Sequence, residues 1–264
     1  MVIALKFIKN TFKLCLWFSI IGVVILTSLY IYAYFTPSIN IKNSNSIQIL
    51  DNKDNLIYQG SSSNKWVHID EISPYLINAM LSVEDKNFYK HMGFDYFRIA
   101  KAMYLNIKNK SIVQGASTIS QQYVKNLFLD FDQTWERKIQ EAFLTLKLET
   151  HYDKDNILEG YINTINFGQG CYGISEASKY YFNKKPNELS LEEAIILAGI
   201  PKSPNNNNPI SNYDNAIKRA WIVAESMLNN NVIDKNLIFG FNFSYTPSFW
   251  KNFTIGVTKI CTTK

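Results

Sequence analysis

Between Leu14 and Phe35 no charged residue occurs over 22 consecutive positions, and this stretch limits what the chain can fold into more than any other. As a helix rising about 1.5 Å per residue it is long enough to cross a hydrocarbon core roughly 30 Å thick. Lys6, Lys9 and Lys13 precede it, and the next basic residue is Lys42. The excess of positive charge on the N-terminal side predicts a cytoplasmic N-terminus, with everything after Phe35 outside. Tyr30, Tyr32 and Tyr34 fall at the far end, where interfacial aromatics belong. A cleaved signal peptide is the alternative, but the run exceeds the usual apolar core of about 7–15 residues and lacks a small-x-small cleavage site. The expectation is a retained, single-pass anchor in the cell membrane.

The composition then turns to Pro, Ser, Asn and Lys from Thr36 to Ser46, as expected of a linker leaving the bilayer. The chain therefore divides into a cytoplasmic N-terminus (1–13), an anchor (14–35), a linker (36–46), one domain (47–230) and a C-terminal extension (231–264) whose pattern gives no assignment. With 47% hydrophobic residues, that domain can bury a full core. The net charge of +5 reads either as ordinary surface composition or as attraction to an anionic bilayer or a phosphate-bearing substrate. No aromatic RNA-binding block, zinc spacing or basic heptad array accompanies it, so no nucleic-acid partner is expected. Cys15, Cys171 and Cys261 lie far apart and form no metal site; a Cys171 to Cys261 bridge could form on the outside of a cell but is not expected.

Ile47 to Leu50 and Leu56 to Tyr58 flank Asp51-Asn52-Lys53-Asp54-Asn55 and predict a small β-hairpin. Helical periodicity follows. Ser73-Pro74 supplies an N-cap and a first-turn proline, and Leu76, Ile77, Met80 and Leu81 form an apolar stripe that ends near Glu84. Further helices are predicted at about 96–108, 117–128, 134–151, 156–163, 174–182, 191–198 and 215–229, with a Ser190 to Glu193 capping box opening one of them. The result is a mainly α domain.

Two acidic positions stand out on this frame. Glu84 and Asp85 sit at a helix end, where adjacent acids are usually solvated. On the helix from Thr134, Ile139, Ala142, Phe143 and Leu146 share one face while Arg137, Glu141, Leu144 and Leu148 share the other. Both faces are partly apolar, which puts Glu141 in a desolvated place; the plainer alternative is a surface pair with Arg137 worth a few tenths of a kcal/mol. After Gly115, Ser117 and Thr118 read as a loop and a helix N-cap, whose N–H groups suit a phosphate. Gln121, Gln122 and Lys125 on that helix offer amide and ammonium groups to an anionic ligand. His91 by itself reads as a turn histidine.

The order of these blocks carries more than any one of them. Glu84-Asp-x-x-Phe88-x-x-His91-x-Gly93-x-Asp95 is followed by Gly115-Ala-Ser-Thr-Ile-Ser-Gln-Gln-Tyr-Val-Lys-Asn126 and Arg137-Lys-x-x-Glu141. Then come Ile157-Leu-Glu-Gly-Tyr-Ile-Asn163 with Phe167-Gly-Gln-Gly-Cys-Tyr-Gly173, and Leu189-Ser-Leu-Glu-Glu-Ala194 with Leu197-Ala-Gly-Ile-Pro201. Over about residues 47–209 the chain resembles the peptidoglycan glycosyltransferases, glycosyltransferase family 51, found as the polymerising domain of class A penicillin-binding proteins and as monofunctional transglycosylases. The resemblance implies a lysozyme-like helical fold that polymerises lipid II into β-1,4 glycan strands, with inversion and release of undecaprenyl pyrophosphate. It implies that Glu84 is the general base on the acceptor 4-hydroxyl, and that Glu141 is a second catalytic glutamate aiding pyrophosphate departure, directly or through a divalent cation, Mg or Mn. No organic cofactor is implied. Lys125, Arg137 and Lys138 match basic positions near the pyrophosphate; Ser117, Thr118, Gln121, Gln122 and Asn126 match a polar groove; Asp85, Phe88 and His91 match supporting positions. Implied partners are the growing glycan chain, the bilayer, and transpeptidases or other cell-wall synthesis proteins.

Two positions depart from the family pattern: Gln133 stands where Arg is frequent, and Asn166 replaces a common Tyr. No Ser-x-x-Lys penicillin-reactive domain follows, so a monofunctional enzyme is expected. Two other readings compete with a polymerase: a lysozyme-like enzyme that cleaves glycan, and a lipid II-binding scaffold without turnover. The segment 96–112, apolar beside Arg98, Lys101, Lys108 and Lys110, reads either as a membrane-touching jaw or as a helix with one face in the core.

Overall fold

A computed structural model describes residues 2–41, 48–50, 56–59, 66–111, 115–129 and 134–239. Helix α1 spans Val2–Phe35, longer than the apolar run, because nothing between Val2 and Leu14 breaks a helix. It stops ahead of Pro37, which disfavours helical geometry at the residue before it, and Thr36 turns its hydroxyl back to the Ala33 carbonyl at 2.8 Å. Strands β1 (Gln48–Leu50) and β2 (Leu56–Gln59) pair antiparallel, with Ile49 opposite Tyr58, as the hairpin expectation requires.

The rest is helical: α2 (Pro74–Glu84), α3 (Tyr96–Asn109), α4 (Ile119–Phe128), α5 (Trp135–His151), α6 (Lys154–Thr164), α7 (Ile174–Phe182), α8 (Leu191–Gly199), α9 (Tyr213–Asn229) and α10 (Lys235–Phe239). Boundaries differ from the sequence expectation by one or two residues, the ordinary scatter of frayed ends. The capping box at Ser190 and Glu193 is present. Ser73 sits at the N-cap position of α2, but its hydroxyl donates to the Leu189 carbonyl at 3.0 Å instead of capping the helix. A cap site tells nothing of competing long-range acceptors, so this side chain ties α2 to the segment entering α8.

Two groups of helices share the core. In one, α2, α8 and α9 pack on each other; in the other, α4 lies against α5 and α6. Helix α8 is buried from Glu193 through Gly199, as an all-round apolar helix must be. The second group is held by Tyr123, Val124, Leu148, Ile157, Leu158 and Tyr161, all fully buried. Gly160 matters here: a Cβ at this position would lie 2.0 Å from the Tyr123 hydroxyl oxygen. The glycine is therefore what allows α6 and α4 to approach.

Helix α1 meets the domain at its C-terminal end. Its last turns pack on α5, where Tyr32 meets Phe143 with ring centroids 5.7 Å apart, and Ala33 is fully buried. The apolar residues from Leu14 to Phe35 are otherwise mostly exposed, and Leu16–Phe35 is long and apolar enough to cross a membrane. Within the segment that leaves α1, Ile41 is buried and Ile39 packs on the core, so residues 39–41 dock on the domain. The two isoleucines supply the apolar contacts of a segment whose flanks are polar.

Candidate active site

Glu84 is the last residue of α2, where the negative end of the helix dipole opposes a carboxylate. Three groups from other elements offset this. Arg98 of α3 donates to the Glu84 backbone carbonyl, satisfying an acceptor left over at the helix end. Gln122 of α4 donates Nε2–H to Glu84 Oε2 at 2.9 Å, and Arg219 of α9 lies 3.4 Å from Oε1. Burial lowers the Arg219 pKa while the Glu84 charge opposes that change. The carboxylate is thus 6% exposed yet has partners from both helical groups, because it sits at the seam between them.

Asp85 is turned away from this seam. Its carboxylate faces His91 Nε2 at 3.1 Å and accepts the Ile119 N–H at 3.1 Å. Ile119 is the first residue of α4, so the end of α2 is tied to the start of α4. Thr118 caps the same terminus: its hydroxyl oxygen accepts the Gln121 N–H, and Gln121 Oε1 accepts the Thr118 N–H, a capping box. Donors that the sequence suggested for a phosphate are therefore engaged by the protein's own Asp85 and Thr118. Phe88 lies in the core, with Lys154 Nζ 4.4 Å from its ring centroid.

Glu141 belongs to α5 and is 2% exposed. Gln121 Nε2 donates to its Oε1 at 3.2 Å, Lys138 donates to the same oxygen, and Arg137 approaches Oε2 at 3.7 Å. Gln121 and Gln122 are neighbours on α4, so a single helix turn presents one amide to each glutamate. The two carboxylates, fifty-seven positions apart in sequence, face this shared element. Of the two partly apolar faces of α5, the one that carries Glu141 is the buried one, with Glu141, Thr145 and Leu148 inside and Ile139 69% exposed.

The remaining predicted residues divide by exposure. Ser117, Gln122, Lys125, Arg137 and Lys138 are half-buried, and Asn126 is exposed; of these, Gln122 meets Glu84 while Arg137 and Lys138 meet Glu141. Asp85, Phe88, Thr118 and Gln121 are buried and act by holding others in place. Gln133 lies outside the described residues. Asn166 closes a tight turn by accepting the Gly168 N–H at 2.7 Å, a use for an Asn side chain that Tyr cannot reproduce. Cys171 is buried, and burial with the nearby Glu176 charge pushes its thiol up to about 12; Cys261 lies outside the described residues.

Among the described residues, no three His, Cys, Asp or Glu side chains gather in a way that could hold a metal ion. The groups around Glu141 are two cations and an amide, a donor set that suits an anion and not a divalent cation. Also among the described residues, Arg137 Nε and Arg219 Nε are buried without a hydrogen-bond partner. An orphaned buried donor costs about 1–3 kcal/mol. One such donor stands beside each glutamate.

The periodic pattern alone passes over three participants. Arg219 follows Ala216 and precedes Ala220 and Val223, so its position beside the buried stripe of α9 marks it as a partly buried cation. Arg98 carries no such signal. Tyr161 is fully buried and donates to Gln122 Oε1 at 3.1 Å; burial and then the charges of Glu84 and Asp85 push its pKa well up, so it remains a donor. This hydrogen bond fixes which way the Gln122 amide points.

A family model described as Transglycosylase matches residues 53–228. The chain is 46% identical over 170 residues to penicillin-binding protein 2D of Bacillus subtilis, covering 64% of this chain and 25% of that protein. It is 45% identical over 168 residues to penicillin-binding protein 1A of Aquifex aeolicus, covering 64% and 23% respectively. The chain thus spans about a quarter of the length of these curated relatives. Among solved structures, penicillin-binding protein 1A from Haemophilus influenzae aligns with a TM-score of 0.37 and 23% identity, over 72% of this chain and 19% of that one. With the family match covering the helical groups and both buried glutamates, the chain belongs to the transglycosylase family.

Proposed function

We propose that the chain is a membrane-anchored peptidoglycan glycosyltransferase that extends β-1,4 glycan strands from lipid II with inversion at the anomeric carbon and release of undecaprenyl pyrophosphate. The observation that carries this reading is the pairing of Glu84 and Glu141 through the Gln121-Gln122 step of α4, with orphaned arginine donors beside each. Glu84 takes the proton from the acceptor 4-hydroxyl as that oxygen attacks the donor sugar. Gln122 and Arg219 fix the carboxylate, and Tyr161 fixes Gln122. The C–O bond to the pyrophosphate breaks as the glycosidic bond forms, and the departing oxygens gain charge. Arg137, Lys138 and Lys125 supply the compensating cations, and Glu141 holds the first two in place.

Residues 14–35 are the anchor in this reading, with the N-terminus cytoplasmic and the domain of residues 47–230 on the outer face, as the lysine distribution favours. Exposed Phe97, Met103, Tyr104 and Ile107 on α3, with Trp135 and Ile139 on α5, suit contact with the bilayer that carries the donor. Glycan-cleaving activity finds less support, because cleavage by water does not call for the Arg137 and Lys138 pair.

The test presents the purified chain with lipid II and, separately, with finished glycan. Polymer from the first and no fragments from the second is expected; fragments from finished glycan, with no polymer, would establish the hydrolase instead.

A further inference from the structure

Two tyrosine hydroxyls reach from the domain to the chain leaving α1. Tyr123 donates to the Ile41 carbonyl at 2.8 Å, and Tyr152 donates to the Ile39 carbonyl at 2.6 Å. Tyr123 is fully buried, and its ring has room only because Gly160 has no side chain. Helix α4 carries Tyr123 directly after Gln121 and Gln122, while Tyr152 is the C-cap of α5, the helix that carries Glu141. A third contact, Tyr32 on Phe143, joins α1 to α5 itself. The elements that position both glutamates are therefore the elements that grip the linker.

A free six-residue tether would let a domain range over roughly 13 Å. Glycosyl transfer requires the reacting atoms to meet at about 3–3.5 Å with aligned orbitals. We propose that Tyr123 and Tyr152 clamp residues 39–41 and so hold the cleft in one orientation to α1, making the anchor a positioning element of the reaction and not a tether. This rests on the membrane-anchored transferase reading. With α1 across a bilayer, the clamp sets the height and tilt at which Glu84 meets a substrate whose pyrophosphate lies at the headgroups. Tyr123 and Tyr152 are positioning residues and touch no reacting atom.

Phenylalanine at each position removes only the hydroxyl, so the test uses full-length Tyr123→Phe, Tyr152→Phe and the double variant beside wild type. The distribution of distances between spin labels placed on α1 and on α9 is measured in lipid vesicles. Polymerisation is measured in two formats, with lipid II in vesicles and with a short-chain soluble analogue in detergent. Wild type is expected to give one narrow distribution, and the double variant a distribution about twice as broad or more, as the segment approaches a free tether. Vesicle polymerisation by the double variant should fall about tenfold or more while the detergent rate stays within about twofold. A broad distribution in wild type, no broadening in the double variant, or equal losses in the two formats would overturn the clamp. A narrow distribution in a wild type that polymerises in neither format would instead overturn the transferase reading and leave the clamp standing.

Discussion

At Gly160 a single missing methyl group decides whether α4 and α6 can pack. In an exposed helix, alanine there would add up to about 1 kcal/mol of helix propensity. Here a Cβ would lie 2.0 Å from the Tyr123 oxygen and 2.4 Å from Cζ, within a fully buried pair, and the ring has nowhere to retreat. Gly160→Ala is therefore expected to destabilise by about 1–3 kcal/mol, the usual cost of overpacking, read as a lowered Tm. A Tm at or above wild type would mean that the contact relaxes freely. The same logic explains other residues of the fourth block. Glu159 accepts from Trp66 at 2.6 Å and from the Ile69 N–H at 2.9 Å, and Asn163 holds the Val67 N–H and carbonyl at 2.9 and 2.8 Å. These side chains fasten residues 66–69 to α6, so the motif's polar positions serve the fold. From sequence they look no different from ligand-binding groups, because the partner lies some ninety positions away.

Most helices were legible because their signals are local: apolar spacing, a capping box, a proline. What the sequence could not supply was which distant group each polar side chain meets. Asp95 shows both sides. It is the N-cap of α3, accepting the Arg98 N–H at 2.9 Å, and it also accepts from Asn87 Nδ2 at 2.9 Å. Burial alone would raise its pKa, but the Asn87 and Arg98 hydrogen bonds outweigh that and lower it from 3.8. A lowered carboxylate pKa gives stability that is complete above the unfolded value and lost as pH falls through the folded one. Thermal unfolding followed from pH 5 down to pH 2 should show Asp95→Asn less stable than wild type at the upper end, with the difference shrinking at the acid end. A constant difference across that range would place the effect in the shape of the Asn side chain. Glu84 and Glu141 were legible as candidates. Arg219 was not, since its pairing with Glu84 joins helices 135 residues apart.

In the molecule as a whole, the exposed apolar residues of α3 are the surface that the proposed membrane-bound reading sets against the bilayer. Phe97 is 90% exposed and Ile107 is 67% exposed, so neither contributes much to the core. Replacing both with Ser is expected to leave Tm nearly unchanged and to weaken polymerisation in vesicles more than in detergent; equal rates in vesicles would show that this surface does no work at the bilayer. A long apolar helix near the N-terminus and the hairpin were readable beforehand, while the docking of residues 39–41 was not, because it depends on two tyrosines from α4 and the end of α5. The central claim is that Glu84 is the proton acceptor in a cleft assembled from both helical groups. It is tested most directly by the single-turnover rate of lipid II polymerisation for wild type and Glu84→Gln, with donor binding measured alongside. The account predicts a rate loss of about 100-fold or more with donor binding largely kept; a Glu84→Gln rate close to wild type would contradict it.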